Sequence, residues 1–341
     1  MALQLVNRTP FTAQLLPMLE TNGASVLRVV LKAGYEILDN GQLCRAEEQP
    51  VVVMADEYWG EPGRSSVRVE TDVSLHKPYT DLLVQGEAIP IRGGKVRELE
   101  VLLRYQGRPF KRLLVTGDRR WERGLLGWNM TPPLPFDRMP LVYERAFGGA
   151  DALGCEPRNR CGTGYASRLG HEFEGTAVPN IEFLEQRMSS PGALPTPAGL
   201  GPLAKSWEPR LSWAGTYDSA WLEDQFPLLP KNFDSRFNQS APSDQWLPRP
   251  RGGERLEISG MRSEGPLHIV LPACQVRLLL RYVDRFVERS FEVDTIQVDT
   301  GTRLLTLTWR GTADIHGDPF RLMEIILEAP ASAHPSGGFG V

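Results

Sequence analysis

Short apolar segments separated by turn signals follow one another through residues 1–120, and this pattern constrains the fold most strongly. Ser25–Ile37 is rich in β-branched and apolar residues, and Val67–Leu75 alternates apolar with polar residues, so both predict strands. The same pattern predicts further strands at Leu82–Ile89, Leu99–Tyr105 and Phe110–Thr116. No amphipathic helical pattern of ten or more residues lies between these segments, which favours an antiparallel sheet or sandwich over βαβ units.

The strand pattern returns after Gly252 and Gly253, near the C-terminal end of the chain. Predicted strands there are Arg255–Met261, Leu267–Leu271, Val276–Val283, Phe291–Val298 and Arg303–Trp309. The four residues Asp299–Thr302 join the last two as a hairpin, with a glycine in the loop. Phe320–Glu328 fits either a last strand or a short helix, because periodicity does not separate the two.

Between these two groups of strands the periodicity disappears and the chain is rich in Gly and Pro. Residues 131–253 also hold four of the eight tryptophans, whereas disordered segments are poor in aromatic residues. We therefore predict an ordered, loop-rich region folded over the sheets. The predicted fold is mainly β: antiparallel, sandwich-like sheets from the N- and C-terminal parts, a long loop-rich middle with aromatic residues, and few short helices.

The same organisation predicts one domain over residues 1–330. It consists of N-terminal strands at 1–125, the loop-rich middle at 126–253 and C-terminal strands at 254–330. Residues 331–341 are small, polar and Gly-rich, which predicts a flexible tail.

The central stretch Gly215–Gln245 interleaves aromatic with acidic residues and has no long apolar period. Tyr217–Glu223 is long enough for two helical turns with Asp218 or Ser219 as N-cap, before prolines end the helix. Two interpretations remain open. The stretch is either a loop fixed across the core by its aromatic residues or a recognition surface held on a rigid scaffold.

Spacing within this stretch suggests which side chains face inward. Phe233 and Phe237 are four residues apart, so one helical turn after Asn232 would place both on one face as an anchor. Tyr217 and Trp221 have the same spacing and would form a second anchor or an exposed patch. The candidate partner-binding residues are Tyr217, Asp218, Trp221, Asp234, Arg236, Asn238, Asp244 and Trp246.

Motifs that identify catalysts, metal sites or cofactor sites are absent from the sequence. The five histidines stand alone, without HExxH or a pair at helical spacing, and the four cysteines form no Cys-x-x-Cys, so neither metal nor cofactor is predicted. The alternative to a binding role is a carbohydrate-processing or carbohydrate-binding protein. It would use Asp218 with Glu223, or Asp234 with Asp244, beside the sugar-stacking Trp221 and Trp246.

Charge and the N-terminal sequence bear on partners and location. The net charge of −4 predicts no general attraction to nucleic acid or anionic lipid. In residues 92–123, ten basic residues face four acidic ones, which strands with Arg and Lys on a solvated face would explain. The opening MALQLVNRTPF has no secretory pattern, and no run of 18 apolar residues occurs, so a cytoplasmic protein with reduced cysteines is expected.

Several spaced motifs together resemble those of a bacterial family that carries the domain of unknown function numbered 2169. They occur in order from about Leu5 to Pro330: VNRTPFTAQLLP, ADEYWGEPGRSSVRVETDVSLHKPYTDLLVQGEA, GDRRW, FDRMPLVYERAFGG, EPRNRCGTGY, AGTYDSAWLEDQFPLLPKNFDSRFNQSAPSDQ and RGGE. Arg160 in EPRNRCG stands where the resemblance leads us to expect proline.

The resemblance implies a role in type VI secretion, a contractile apparatus that fires a spike into neighbouring cells. Family members are thought to act as cytosolic adaptors or chaperones that bind an effector carrying a PAAR-repeat tip domain and help load it onto the spike protein. The resemblance supplies no catalytic residues. We therefore expect a non-catalytic adaptor with a PAAR-domain effector and the spike protein as partners, and neither nucleic acid nor membrane.

Overall fold

The computed structural model describes residues 3–125, 127–166, 173–315 and 321–329. Strands take up 43% of the structure and helices 7%, so the predicted mainly β fold is confirmed. The proposed tail at 331–341 lies outside the described residues.

The N-terminal part contributes twelve strands to the described chain. They are β1 (Gln4–Asn7), β2 (Thr12–Leu19), β3 (Ser25–Ile37), β4 (Leu43–Arg45), β5 (Glu57–Tyr58), β6 (Val67–Val69), β7 (Thr80–Gln85), β8 (Glu87–Ala88), β9 (Glu98–Tyr105), β10 (Arg108–Thr116), β11 (Arg119–Gly124) and β12 (Gly127–Met130).

In the middle region the regular elements are short. They are β13 (Met139–Pro140), β14 (Phe147–Gly148), β15 (Thr163–Gly164), β16 (Ala177–Val178), β17 (Ile181–Phe183), α1 (Arg210–Trp213), α2 (Ser219–Asp224), β18 (Trp246–Leu247), and 3₁₀ helices at Tyr143–Arg145, Ser235–Asn238 and Ser243–Gln245.

Longer strands return in the C-terminal part. They are β19 (Arg255–Ser259), β20 (Leu267–Val270), β21 (Arg277–Tyr282), β22 (Phe286–Arg289), β23 (Glu292–Asp299), β24 (Leu304–Asp314) and β25 (Leu322–Glu328).

Three larger sheets combine strands from the two ends of the chain. The seven-stranded sheet has the order β18-β7-β23-β24-β3-β2, with β4 beside β3, and the five-stranded sheet has the order β17-β10-β9-β19-β20. The four-stranded sheet has the order β1-β25-β21-β22. Pairing is mostly antiparallel, although β7 with β23 and β1 with β25 are parallel. Apolar residues of all three sheets form one core, including Leu31, Leu103, Ile258, Leu280 and Leu307.

Most of the strands predicted from periodicity are present. Ser25–Ile37 is β3 with the predicted bounds. The segment Phe320–Glu328, which fitted a strand or a helix, contains strand β25. Val67–Leu75 was predicted as one strand, but only Val67–Val69 forms one, so this prediction is largely wrong. The chain leaves the strand because the side chain of Asp72, in the same segment, is drawn into the interior by Lys32 and by the backbone amide of Val53.

One face of the seven-stranded sheet is buried yet charged, because polar residues alternate with the core residues along its strands. Lys32 Nζ lies 2.7 Å from Asp72 Oδ2, and Arg310 bonds both Asp72 and Asp294. Burial alone lowers the pKa of Arg310, but the attraction of Asp294 and Asp72 outweighs it and the pKa is raised. Each buried charge in this set therefore has a partner of opposite sign, as burial requires.

The loop-rich middle is fastened to this charged face through Asp81. The Asp81 carboxylate is fully buried and accepts hydrogen bonds from Lys77 Nζ at 2.7 Å, Gln239 Nε2 at 2.7 Å and Ser240 N at 2.8 Å. Gln239 Oε1 in turn accepts from the backbone amide of Tyr79. These bonds hold residues 237–241 against β7 and so determine where the aromatic residues on either side emerge.

Two residues of the basic run contradict the expectation that its Arg and Lys side chains face solvent. Lys111 and Arg119 are buried, whereas Arg108 and Arg112 are exposed. Lys111 pairs with Asp244 at 2.9 Å, and Arg119 pairs with Glu182 at 2.7 Å. The middle region covers both residues and supplies their partners, and the sequence pattern does not reveal such long-range pairing.

Candidate partner-binding surface

The central stretch Gly215–Gln245 rises from a rigid base formed by Arg210. This arginine is 1% exposed and donates to the carbonyl of Leu203 at 2.6 Å, to the carbonyl of Phe237 at 2.8 Å and to Glu70 at 2.6 Å. Its guanidinium also lies 5.6 Å from the centroid of the Phe237 ring. A loop held in this way presents its exposed residues in a defined geometry.

The first exposed cluster, which we call the aromatic knob, consists of Tyr217, Trp221, Leu222 and Phe226. The Tyr217 and Trp221 rings meet edge to face at 4.7 Å, and Trp221 meets Phe226 at 5.7 Å. Tyr217 is 53% exposed, Leu222 61% and Phe226 63%, so the apolar surface of this knob faces solvent. Of the predicted pair, Tyr217 is exposed, whereas the Trp221 ring is half-buried and packs against both Tyr217 and Phe226.

Local sequence explains the shape of the knob. The Asp218 carboxylate accepts from the Trp221 backbone amide at 2.9 Å and caps α2, as predicted. The helix ends at Asp224, ahead of the predicted stop at Pro227. Trp221 Nε1 donates to the carbonyl of Leu228 at 2.9 Å, which fixes the indole across the returning chain.

The second cluster, which we call the aromatic stack, consists of Tyr79, Trp213 and Trp246. Tyr79 and Trp246 lie nearly parallel, at 14° and 5.3 Å, and Trp213 lies 5.9 Å from Trp246. The Arg236 guanidinium lies over Trp213 at 5.0 Å, an arrangement that favours a cation–π contact. Tyr79 is 46% exposed, so the stack presents one ring edge or face to solvent.

Arg236 is held in place by Asp234. The carboxylate accepts from Arg236 Nε at 2.9 Å and Nη2 at 2.6 Å, and it also caps the 3₁₀ helix Ser235–Asn238 through the Arg236 amide. Hydrogen bonding to Arg236 holds the pKa of Asp234 below its usual value. The predicted pair Phe233 and Phe237 meets at 5.7 Å, but both rings are half-buried and lie outside the main core.

The remaining predicted residues are attached to other parts of the molecule. Asn238 Nδ2 donates to the carbonyl of His76 at 3.0 Å, and Asp244 pairs with the buried Lys111. Of the four carboxylates considered for sugar chemistry, Asp218, Asp234 and Asp244 thus each hold a local or buried structural partner.

Four residues of these clusters were not among the candidates predicted from the sequence: Tyr79, Trp213, Leu222 and Phe226. Tyr79 lies in the N-terminal part and reaches Trp246 only because β18 pairs with β7, with Trp246 opposite Asp81. Phe226 could have been found from the sequence, because it lies five residues after Trp221 in the same aromatic stretch and directly before Pro227.

In the part of the chain that the structure describes, no group of three or more His, Cys, Asp or Glu side chains is placed to hold a metal ion. Neither α1 nor α2, nor any other described helix, is long and apolar enough to cross a membrane.

Comparison with known proteins gives one match. A family model described as an uncharacterized protein conserved in bacteria (DUF2169) matches residues 22–310. No curated protein and no solved structure matches the chain.

Proposed function

From the premise that this chain belongs to the DUF2169 family, we propose that it is a non-catalytic cytoplasmic adaptor of a type VI secretion system. In this role it binds an effector that carries a PAAR domain and helps to load that effector onto the spike protein. The secretion role comes from the resemblance described above, and the geometry of the central stretch supplies the physical reason for a binding role.

The exposed side chains of the aromatic knob support this role most directly. Tyr217, Leu222 and Phe226 are each more than half exposed, and the Tyr217 and Phe226 rings both pack against Trp221 of the short, capped helix α2. Large apolar side chains grouped on a protein surface mark interaction sites, and aromatic residues are enriched among those that dominate binding energy. Their rigid base at Arg210 reduces the entropy that a partner must remove on docking.

Co-expression with the PAAR-domain protein encoded nearest to this chain, followed by size-exclusion chromatography, tests the proposal. A stable adaptor complex buries about 1,200–2,000 Å² and elutes as one species at micromolar concentration. Phe226→Ala should weaken the complex at least about tenfold, because a central interface aromatic typically contributes 2 kcal/mol or more.

The matched control is Phe286→Ala on β22, since Phe286 is 67% exposed and Phe226 is 63% exposed. Both variants remove a solvent-exposed ring and should leave the unfolding free energy within about 0.5 kcal/mol of the parent. Separate elution of the two parent proteins, or equal weakening by both variants, contradicts the proposal.

The aromatic stack favours carbohydrate binding as a second candidate. Flat, partly exposed rings such as Tyr79 offer a face on which a sugar ring packs, and Trp246 supports Tyr79 from behind. Titration of the purified chain with soluble peptidoglycan fragments, followed by tryptophan fluorescence, distinguishes the candidates. The carbohydrate role would be favoured by saturable quenching of the fluorescence that is lost in Tyr79→Ala and retained in Phe226→Ala.

A further inference from the structure

A charged pocket of about 340 Å³ opens beside the charged face of the seven-stranded sheet. Its cationic lining comes from Arg28, Lys77, Arg249, Arg289 and Arg310, together with His76. Three acidic residues, Glu292, Asp294 and Asp314, also line it. Pockets of this volume hold small ligands or a side chain, and a lining of this composition selects a charged group over an apolar one.

Arg28 on β3 is the cation of the pocket with the weakest compensation. It is 4% exposed, and its Nη1 donates to Thr312 Oγ1 at 2.6 Å, but Nη2 reaches Glu20 only at 3.4 Å. Its Nε is buried and has no hydrogen-bond partner among the described residues. Burial lowers the pKa of Arg28 more than the nearby Glu20 and Asp294 raise it. A buried donor without an acceptor is costly, and the positive charge of Arg28 is only partly compensated.

Two further arginines line the same pocket in orientations that the protein fixes. Arg249 Nη1 donates to the carbonyl of Tyr79 at 2.8 Å, and its Nη2 donates to the carbonyl of Lys77. Arg289 Nη2 donates to Asp314 at 2.8 Å, whereas its Nε and Nη1 bond no described residue. A guanidinium with free donors and a fixed plane is suited to bidentate binding of an oxyanion.

The acidic residues of the lining already have arginine partners. Asp294 pairs with Arg310, Asp314 pairs with Arg289, and Glu292 lies 3.5 Å from Arg249. Burial, together with the positive charges of Arg249 and Arg28, lowers the pKa of His76. Burial is the largest cause of this shift, and the two arginines add to it.

The pocket and the aromatic stack share a wall. His76 lines the pocket, and its carbonyl binds Asn238, while Arg249 of the pocket binds the carbonyl of Tyr79 of the stack. The pocket and the aromatic stack are therefore neighbours in the fold.

We propose that this pocket receives a carboxylate from an acidic side chain of the partner that docks on the central stretch, an inference that rests on the proposed adaptor function. Arg289 supplies free guanidinium donors, Arg28 adds positive charge to the lining, and Arg249 holds the wall that joins the pocket to the stack. The pocket then adds charge selection to the apolar contacts of the aromatic knob.

Isothermal titration of the full chain with an acetylated triglutamate peptide, and separately with inorganic phosphate, tests the pocket without a partner protein. The informative variant is Arg289→Gln, since Arg289 is partly exposed and carries no backbone contact. Its matched control is Arg277→Gln: Arg277 is similarly exposed and paired, with Glu288, but does not line the pocket. We expect the peptide to bind the parent chain. Arg289→Gln should weaken this binding at least tenfold, and Arg277→Gln should leave the affinity within twofold of the parent value.

Each outcome of these titrations decides the question. Phosphate binding without peptide binding overturns the partner carboxylate in favour of a free small anion, and absence of both overturns the site. Equal effects of the two variants indicate general charge attraction and also overturn it. If no PAAR-domain complex forms at all, the adaptor function fails, while the peptide titration still decides whether the pocket binds carboxylates.

Discussion

Replacing Asp81 by Asn removes the charge that holds the loop-rich middle on the sheet while it keeps the shape of the side chain. Asp81 is 0% exposed and Lys77 2% exposed, and their charged atoms lie 2.7 Å apart. An amide in place of the carboxylate leaves Lys77 buried without its counter-ion. The new amide also presents either its NH₂ group or its carbonyl oxygen, a weaker acceptor than a carboxylate, to the amide and hydroxyl of Ser240.

The expected destabilisation is large. Breaking a buried ion pair by removing one partner typically costs about 3–5 kcal/mol. Unfolding entropy of about 2.1 cal/mol/K per residue gives about 0.7 kcal/mol/K for a chain of 341 residues, so the Tm should fall by about 4–7 °C. Lys77→Met should cost less, about 1–3 kcal/mol, because Asp81 then retains its hydrogen bonds from Gln239 and Ser240.

Unfolding in guanidinium chloride, followed by tryptophan fluorescence, measures both variants and the double variant Lys77→Met/Asp81→Asn. The double variant removes both charges of the pair and should be about 1–3 kcal/mol more stable than the sum of the single effects predicts. Asp39→Asn is the control, because Asp39 pairs with Arg303 but is 81% exposed, and it should change stability by less than about 1 kcal/mol.

Additive effects within about 0.5 kcal/mol, or a loss below about 1 kcal/mol for Asp81→Asn, would refute the reasoning. Either result would mean that water or a backbone shift compensates Lys77. Because Gln239 also binds the amide of Tyr79, Asp81→Asn should weaken the partner complex as well.

Three further predictions follow from single contacts. Asp244→Asn should lower the free energy of unfolding by about 3 kcal/mol and Lys111→Met by less than about 1 kcal/mol. The reason is that burial lowers the pKa of Lys111 more than Asp244 raises it. Equal losses of stability in chemical denaturation would contradict this prediction. Burial raises the pKa of Cys161 to about 12. At pH 8 its thiol should therefore react with a disulfide reagent about 1,000-fold more slowly than a thiol with the ordinary pKa of 9.0. Equal labelling rates for the native and the unfolded chain would contradict this expectation. Burial also raises the pKa of Tyr35 to about 12, so its stabilising contribution is complete below pH 10 and is lost as the pH rises toward 12. Tyr35→Phe should remove about 2–3 kcal/mol of the alkaline loss, and an unchanged pH profile of unfolding would show that the phenol is not involved.

Strand positions could be predicted well from the sequence because they depend on neighbours along the chain. The run of β-branched and apolar residues in Ser25–Ile37 predicted β3 with its observed bounds. The hairpin at Asp299–Thr302 forms because Asp299 Oδ1 accepts from the amides of Gly301 and Thr302, two and three residues away. The cap that Asp218 places on α2 has the same local origin.

The candidate surface was predicted only in part. Tyr217, Trp221, Arg236 and Trp246 lie in the aromatic clusters or against them, but Asp244 proved to be the counter-ion of Lys111. Tyr79 was not predicted because nothing near it in the sequence distinguishes it from any other tyrosine at a strand end.

By itself the sequence determined the local features of this protein: the strands with period two, the turns, the capped helix of the knob and the aromatic content of the central stretch. Only the tertiary structure decided which strands pair, which charges are buried and which aromatic rings meet. Lys32 with Asp72, Lys111 with Asp244 and Tyr79 with Trp246 are contacts between distant segments. From the sequence alone, a charged residue on a strand is expected to face solvent. The folded chain can instead bury it against a partner from a distant segment. Whether burial is tolerated depends on that partner and not on the residue's neighbours in sequence.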